Sequence, residues 1–162
     1  MSTHSQIAVR LNDGSYATVH CQYDGYPVHM GWMLHNKFNT RNRVLNLVLD
    51  GRSIRQVGYL GDYGAVDYFP NTNEESAPQF QSFGDFESLL NFYTEILCEY
   101  AYVYENGEFY AYKLDGRPVS EYSSEYEWEM RCLGKLSELK CCTNSNFTFR
   151  ELDMNEISEL CI

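Results

Sequence analysis

The sequence YAYVYENGEFYAYK, from Tyr100 to Lys113, decides the fold class because it describes a β-hairpin almost completely. Aromatic and β-branched residues flank Asn106-Gly107, the dipeptide that two-residue type I′ turns prefer. Such a turn fixes the opposing pairs, which are Glu105–Glu108, Tyr104–Phe109, Val103–Tyr110, Tyr102–Ala111 and Ala101–Tyr112. The two glutamates nearest the turn face each other, so we expect this end of the hairpin to be exposed to solvent.

A second hairpin is predicted near the amino terminus, from Ile7–Leu11 and Tyr16–Tyr23 around Asn12-Asp13-Gly14-Ser15. If Leu11 faces Tyr16, side-chain alternation places Ile7, Val9 and Leu11 on one face with Tyr16, Thr18 and His20. In that register His20 packs beside Ile7. Both faces are partly apolar, so this hairpin is expected to lie inside a larger sheet.

Helical spacing of apolar residues predicts three helices. They cover Pro27–Phe38, Arg41–Leu49 after a Thr40 cap, and a segment from a Ser82 or Asp85 cap to about Tyr100. The last carries an apolar stripe of Phe86, Leu89, Leu90, Tyr93, Ile96 and Leu97. Residues 58–78 are rich in turn-forming residues and are predicted as a long surface loop. The stretch Tyr122–Leu139 fits either a helix or broken strands, and a final helical turn is predicted over Met154–Cys161.

These elements predict an α+β fold with an antiparallel sheet built from two hairpins, about 7–23 and 100–113. Two to four helices are expected to pack on it. At 162 residues, with 44% hydrophobic and 15% aromatic residues, the chain has the size and composition of one folded domain, 1–162.

The net charge of −11 is distributed unevenly along the chain. Residues 1–58 contain six basic and three acidic side chains, a balance of +3, whereas residues 59–162 contain six basic and twenty acidic ones, a balance of −14. Most nucleic-acid-binding proteins show a basic excess, because phosphate neutralisation supplies much of their affinity. We therefore expect no direct nucleic-acid binding and instead a protein partner with a basic surface.

The six cysteines are scattered and do not form a metal-binding pattern. The only close pair, Cys141-Cys142, is adjacent, whereas zinc ligands usually stand two to four residues apart. No signal peptide or membrane-spanning stretch is readable, so we expect free thiols and a cytoplasmic location, with no membrane, metal or cofactor.

Other candidate chemistry is also better explained by structure than by catalysis. His20 and Cys21 point to opposite faces of a strand, which separates a thiol from its potential base. The glycines of Gly58-x-x-Gly61-x-x-Gly64 lack the Gly-Lys-Ser/Thr ending of a phosphate-binding loop. We therefore assign no catalytic residues and expect a protein that is not an enzyme.

Carboxylates with interleaved aromatic residues form the main candidate binding surface. Its acidic members are Glu121, Glu125, Glu127, Glu129, Asp62 and Asp67. A solvated acidic face is the simplest explanation. The more specific explanation is an acidic strip that imitates the phosphates of nucleic acid. In it, Tyr122, Tyr126 and Trp128 anchor a partner protein that the negative charge attracts. A candidate small-ligand pocket is formed by His20, Asp24 and Tyr26.

The amino-terminal part resembles a group of small proteins from tailed phages and related mobile elements. The likeness lies in Met1-Ser2-Thr3-x-Ser5-x-Ile7-Ala8, in Tyr23-Asp24-Gly25-Tyr26-Pro27, in Gly31, Leu34 and Phe38, and in the hairpin beginning Glu99-Tyr100-Ala101-Tyr102-Val103-Tyr104. It covers about residues 1–113 and leaves 114–162 as an extension. His4 stands where these proteins usually carry Arg, and Gln22-Tyr23 where His-Trp is common.

The resemblance implies a phage accessory protein that acts in an infected bacterial cytoplasm, and it transfers no catalytic residues. The leading hypothesis is a stoichiometric inhibitor or modulator of a host defence or nucleic-acid-handling protein, with nucleic-acid mimicry as its most specific version. A nucleotide-binding or nucleotide-sequestering protein is the alternative, and a hydrolase using Asp24 with His20 is a third. The target, the existence of a homo-oligomer and the role of residues 114–162 are left open.

Overall fold

A computed structural model describes residues 3–58, 65–70 and 80–143 of the chain. Within these ranges, eight strands form one mixed, open sheet, and four α-helices accompany it. The strands are β1 (Ser5–Arg10), β2 (Tyr16–Cys21), β3 (Ile54–Val57), β4 (Val66–Tyr68), β5 (Gln81–Phe83), β6 (Tyr100–Glu105), β7 (Glu108–Pro118) and β8 (Tyr126–Lys135). The helices are α1 (Trp32–Lys37), α2 (Arg41–Leu49), α3 (Phe86–Glu95) and α4 (Lys140–Thr143). The predicted α+β class is therefore correct.

The strand order in the sheet is β4-β3-β2-β1-β6-β7-β8. Strand β5 lies off this path. It pairs with Tyr16, Ala17 and Thr18 of β2, on the same edge of β2 that β3 meets at Cys21. The two predicted hairpins, β1–β2 and β6–β7, are both present and antiparallel. They join through a parallel pairing of β1 with β6. The prediction of an antiparallel sheet from two hairpins is thus correct for the hairpins but incomplete for the sheet.

The β6–β7 hairpin has the predicted register at all five inner pairs, from Glu105 opposite Glu108 to Ala101 opposite Tyr112. Asn106 and Gly107 have φ of 53° and 81°, as both central residues of a type I′ turn require. The dipeptide therefore predicts the register of this hairpin correctly.

The β1–β2 register differs by one residue from the prediction, because Tyr16 lies opposite Arg10 and not Leu11. The turn is shorter than expected: the Leu11 amide donates to the Ser15 carbonyl, and Gly14 closes the loop with φ of 86°. A one-residue shift moves every side chain of β2 to the other face. Ile7 consequently faces Val19, and His20 faces Gln6 on the opposite side of the sheet.

Each face of the sheet covers its own core. On one face Ile7, Val9, Val19, Tyr102 and Tyr104 pack with a π-helical turn at Pro27–Gly31 and with α1, α2 and α4. On the other face α3 covers the sheet through Leu89 and Tyr93, both fully buried. The Tyr93 hydroxyl lies 2.7 Å from that of Thr18, which donates to Gln6, so this buried polar chain has its hydrogen bonds satisfied.

Two helix predictions need correction. The predicted helix Pro27–Phe38 begins as the π-helical turn Pro27–Gly31, so α1 covers only Trp32–Lys37. The Thr40 cap and the Asp85 cap are both present, each accepting a hydrogen bond from the amide three residues later. The helix after Asp85 ends at Glu95 and not near Tyr100. Leu97 then takes a positive φ of 51°, and Ile96 and Leu97 are exposed where the apolar stripe predicted burial.

One further region differs from the prediction, and another settles an alternative that the sequence leaves open. The supposed loop 58–78 contains β4, which pairs with β3. The ambiguous stretch Tyr122–Leu139 is a strand, β8, followed by a 3₁₀ turn at Leu136–Glu138. The predicted elements beyond Thr143 lie outside the described residues.

Candidate functional site

The two longest strands extend beyond the sheet as a two-stranded arm. The last pair between β6 and β7 is Tyr100 with Lys113, whereas β7 and β8 stay paired as far as Pro118 with Tyr126. We call residues 114–130 the arm. Leu133 is left unpaired by a bulge in β8 near its base, and bulges increase the twist of such ribbons.

One face of the arm is aromatic. Directly opposed residues of antiparallel strands share a face, so this one carries Leu114 with Met130, Gly116 with Trp128 and Pro118 with Tyr126. The Tyr126 and Trp128 rings lie 5.7 Å apart, and they are 54% and 42% exposed. Tyr122, in the connecting turn, is 96% exposed. Large aromatic side chains with this exposure are the kind that anchor protein interfaces.

Gly116 makes the position of the Trp128 ring possible. A Cβ atom at residue 116 would lie 2.5 Å from Trp128 Cζ3 and 2.7 Å from Cε3, closer than two carbon atoms can approach. The indole therefore lies flat across the glycine of the neighbouring strand. Met130, next along the same face, packs against the core cluster under α3, so the aromatic face continues the α3 side of the sheet.

The other face of the arm is charged and mixed in sign. Arg117 forms an ion pair with Glu129, and Arg131 lies 4.0 Å from Asp115. Glu127 lies opposite Arg117 in the strand register. The predicted acidic strip on β8 is therefore interrupted by arginines, and the pKa of Arg117 is raised by its neighbouring carboxylates.

The structure divides the predicted acidic surface into separate parts. Glu121 and Glu125 lie at the arm's connecting turn, close in sequence to the exposed Tyr122. Asp67 lies on β4, at the opposite edge of the sheet from β8, where its carboxylate is 3.5 Å from Arg55. Asp62 lies outside the described residues. Among the described members of this surface, the glutamates of the arm are the ones brought together with Tyr122, Tyr126 and Trp128.

The candidate pocket of His20, Asp24 and Tyr26 is also divided. His20 bonds to Gln22 at 3.0 Å and lines a concavity of about 280 Å³ with His4, Gln6 and Cys98. Tyr26 packs against the other core and donates to Asp24 at 3.1 Å. Burial and the adjacent Asp24 carboxylate raise the pKa of Tyr26 to about 12. The Asp24 carboxylate accepts from Gln56, and no hydrogen bond joins it to His20.

Among the described cysteines, Cys21, Cys98, Cys132 and Cys142 are free thiols, and Cys132 is exposed. Burial raises the pKa of Cys21 and of Cys98 to about 12, so neither is a ready nucleophile at neutral pH. Cys21 and His20 lie on opposite faces, as predicted. Within the described ranges, no group of three or more His, Cys, Asp or Glu side chains is arranged to hold a metal ion, and no helix there is long and apolar enough to cross a membrane.

The arm itself was not predicted, although the sequence carries a signal for it. Tyr126-Glu127-Trp128-Glu129-Met130-Arg131 alternates strictly between apolar and charged residues, which is the period of a strand with one solvated face. The sequence around Gly116 does not indicate its importance, because this depends on the Trp128 ring of the neighbouring strand.

Comparison with known proteins adds no assignment to this geometry. No family model, no curated protein and no solved structure matches the chain.

Proposed function

We propose that this chain is a binding protein whose arm docks on a basic surface of a protein partner. The supporting observation is the arm's geometry: a ribbon beyond the sheet, with exposed Tyr122, Tyr126 and Trp128 beside Glu121 and Glu125. Aromatic side chains supply contact area, and acidic residues around them steer a basic partner. The net charge of −14 over residues 59–162 adds long-range attraction toward the same basic partner.

The proposed biological setting rests on the resemblance of residues 1–113 to small phage proteins. In that setting the protein is a phage-encoded accessory factor in the host cytoplasm, and its partner is a host defence or nucleic-acid-handling protein that it inhibits or modulates. Nucleic-acid mimicry is the most specific version. The ion pairs of Arg117 and Arg131 interrupt the run of negative charge on the arm, and so favour an interface anchored by aromatic residues over imitation of a phosphate array.

The test is capture of partners from bacterial host lysate by the tagged protein, washed at about 50 mM and about 500 mM salt. Two variants probe the arm. One carries Tyr122→Ala with Trp128→Ala. In the other, residues 115–129 are replaced by Asn-Gly joining Leu114 to Met130, which are already cross-strand partners. Tyr23→Ala is the matched control, since Tyr23 is 43% exposed and lies outside the arm.

We expect a partner that the wild type and Tyr23→Ala retain and that both arm variants lose. Binding through aromatic anchors should survive the high-salt wash in part, whereas mimicry of a phosphate array predicts complete release. Retention of the same partner by both arm variants would place the interface elsewhere.

A further inference from the structure

A broad groove lies at the other end of the molecule, where the end of α1 and the exposed side of α2 meet β4. Its volume is about 570 Å³, within the range of sites that hold small organic ligands. The polar lining is Lys37, Arg43, Asn46 and Tyr68, and the apolar lining is Phe38, Leu47 and Val66. None of these residues belongs to the arm.

The groove's two cations have no carboxylate partner in the ranges that the structure describes. In the described part of the chain, Arg52 pairs with Asp50 and Arg55 with Asp67, but no carboxylate lies within 4.0 Å of Lys37 or Arg43. The Arg43 guanidinium donates to the Lys37 backbone carbonyl at 3.1 Å, which holds it against the end of α1. Among the described residues, two positive charges thus lie at one concavity without a carboxylate partner, in a protein with a net charge of −11.

This placement of charge does not serve the stability of α2. The first turn of α2 carries Arg41 and Arg43 and no acidic residue. Helix dipoles favour acidic side chains at that end and disfavour basic ones. The loss of helix stability caused by these arginines is consistent with a role in binding, because residues that violate a local stability preference concentrate at functional sites.

The remaining lining fits a flat organic group. Phe38 and Leu47 are buried and form the base of the groove, and the half-buried Val66 and Tyr68 form a wall. The Tyr68 hydroxyl donates to the Leu47 carbonyl at 3.3 Å, and the Arg52 guanidinium lies 4.4 Å from the ring centroid, so the ring is held in place. The Asn46 amide supplies both a donor and an acceptor.

We propose that this groove binds a nucleotide. The phosphate lies between Lys37 and Arg43, and the base covers Phe38 and Leu47 with its polar edge toward Asn46. The cations select an anion, the apolar floor selects an aromatic body, and the amide matches the donors and acceptors of a base. The site differs from the predicted pocket of His20, Asp24 and Tyr26, and it does not depend on the arm being an interface.

The test is isothermal titration of the full chain with AMP, ATP and inorganic phosphate. We expect at least one nucleotide to bind with a Kd below about 1 mM and at least about tenfold more tightly than phosphate. Lys37→Gln and Arg43→Gln should each weaken nucleotide binding about tenfold, by removing a charge-assisted contact. Lys37→Gln is the cleaner variant, because the Lys37 side chain makes no hydrogen bond within the described residues.

Lys113→Gln is the matched control, since it removes one exposed positive charge at the other end of the molecule. It should leave nucleotide affinity unchanged. Absence of binding by AMP and ATP at millimolar concentration would overturn the proposal. So would equal losses in Lys37→Gln and Lys113→Gln, or phosphate binding as tightly as the nucleotides.

Discussion

At the scale of single residues, the arm depends on the absence of a side chain at residue 116. The Trp128 ring lies where a Cβ atom at that position would be, so the aromatic face has its shape because of glycine. Gly116 has no positive φ, so its role comes from this close approach and not from backbone freedom. Substituting this one residue changes the docking face without changing any residue that would touch the partner.

Gly116→Ala is predicted to displace the Trp128 indole from the strand surface toward solvent. Tryptophan emission should then shift to longer wavelength, measured in a Trp32→Phe background so that residue 128 alone reports. Gly84→Ala is the matched control, because nothing lies within 4 Å of a Cβ atom built there. Unchanged emission in Gly116→Ala would show that the ring does not lie against this glycine.

At the scale of elements, the arm is a separable part of the fold. Residues 115–118 pair only with 126–129 within the sheet, while Met130 and the rest of β8 remain attached to the α3 side of the core. The hairpin that carries it, β6–β7, is fixed by its own type I′ turn at Asn106-Gly107. The arm therefore contributes little to the cores that hold the domain together.

Replacing residues 115–129 with Asn-Gly is predicted to leave the domain folded. The thermal midpoint should change by less than about 5 °C, since the removed side chains lie outside both cores. Thermal unfolding followed by circular dichroism measures this directly. A loss of cooperative unfolding would mean that the arm is part of the core structure, contrary to this description.

How far the sequence predicts each element depends on how local its determinants are. Asn106-Gly107 determines a register by itself, and every predicted pair of that hairpin is present. The turn at 12–15 allows two loop lengths, and only the path through Gly14 selects the shorter one, which reverses the faces of β2. The parallel pairing of β1 with β6 joins residues 95 positions apart, and no local pattern encodes it.

The candidate sites show the same dependence on local sequence. The interleaving of aromatic and acidic residues along 121–129 groups Tyr122, Tyr126 and Trp128 with the glutamates, but the arm that presents them arises from strand pairing. The groove at Lys37 and Arg43 brings α1 and α2 against β4, a strand in a stretch predicted to be a loop. A pocket built across three elements leaves no motif in any one of them.

At the scale of the whole molecule, burial of ionisable side chains ties stability to pH. Burial raises the pKa of Cys21 from its ordinary 9.0, and those of Tyr16, Tyr26 and Tyr68 from 10.0, to about 12 in each case. In the unfolded chain these groups lose their protons first. Their contribution to stability is thus fully present below pH 9 and decreases as the pH rises toward 12.

The urea midpoint of unfolding is predicted to fall between about pH 8 and about pH 10.5, because the unfolded state binds fewer protons there than the folded state. Tyr68→Phe removes one of the responsible groups and should make the fall smaller. An equal midpoint at both pH values would contradict the burial described for these side chains.

The central claim is that the arm binds a protein partner, and the most direct test is capture from host lysate by the wild type and by the variant with residues 115–129 replaced by Asn-Gly. The account predicts a protein that is retained by the wild type and by Tyr23→Ala and is absent with the shortened, folded variant. Capture of the same protein by the shortened variant would contradict the claim, as would the absence of any specific protein with the wild type.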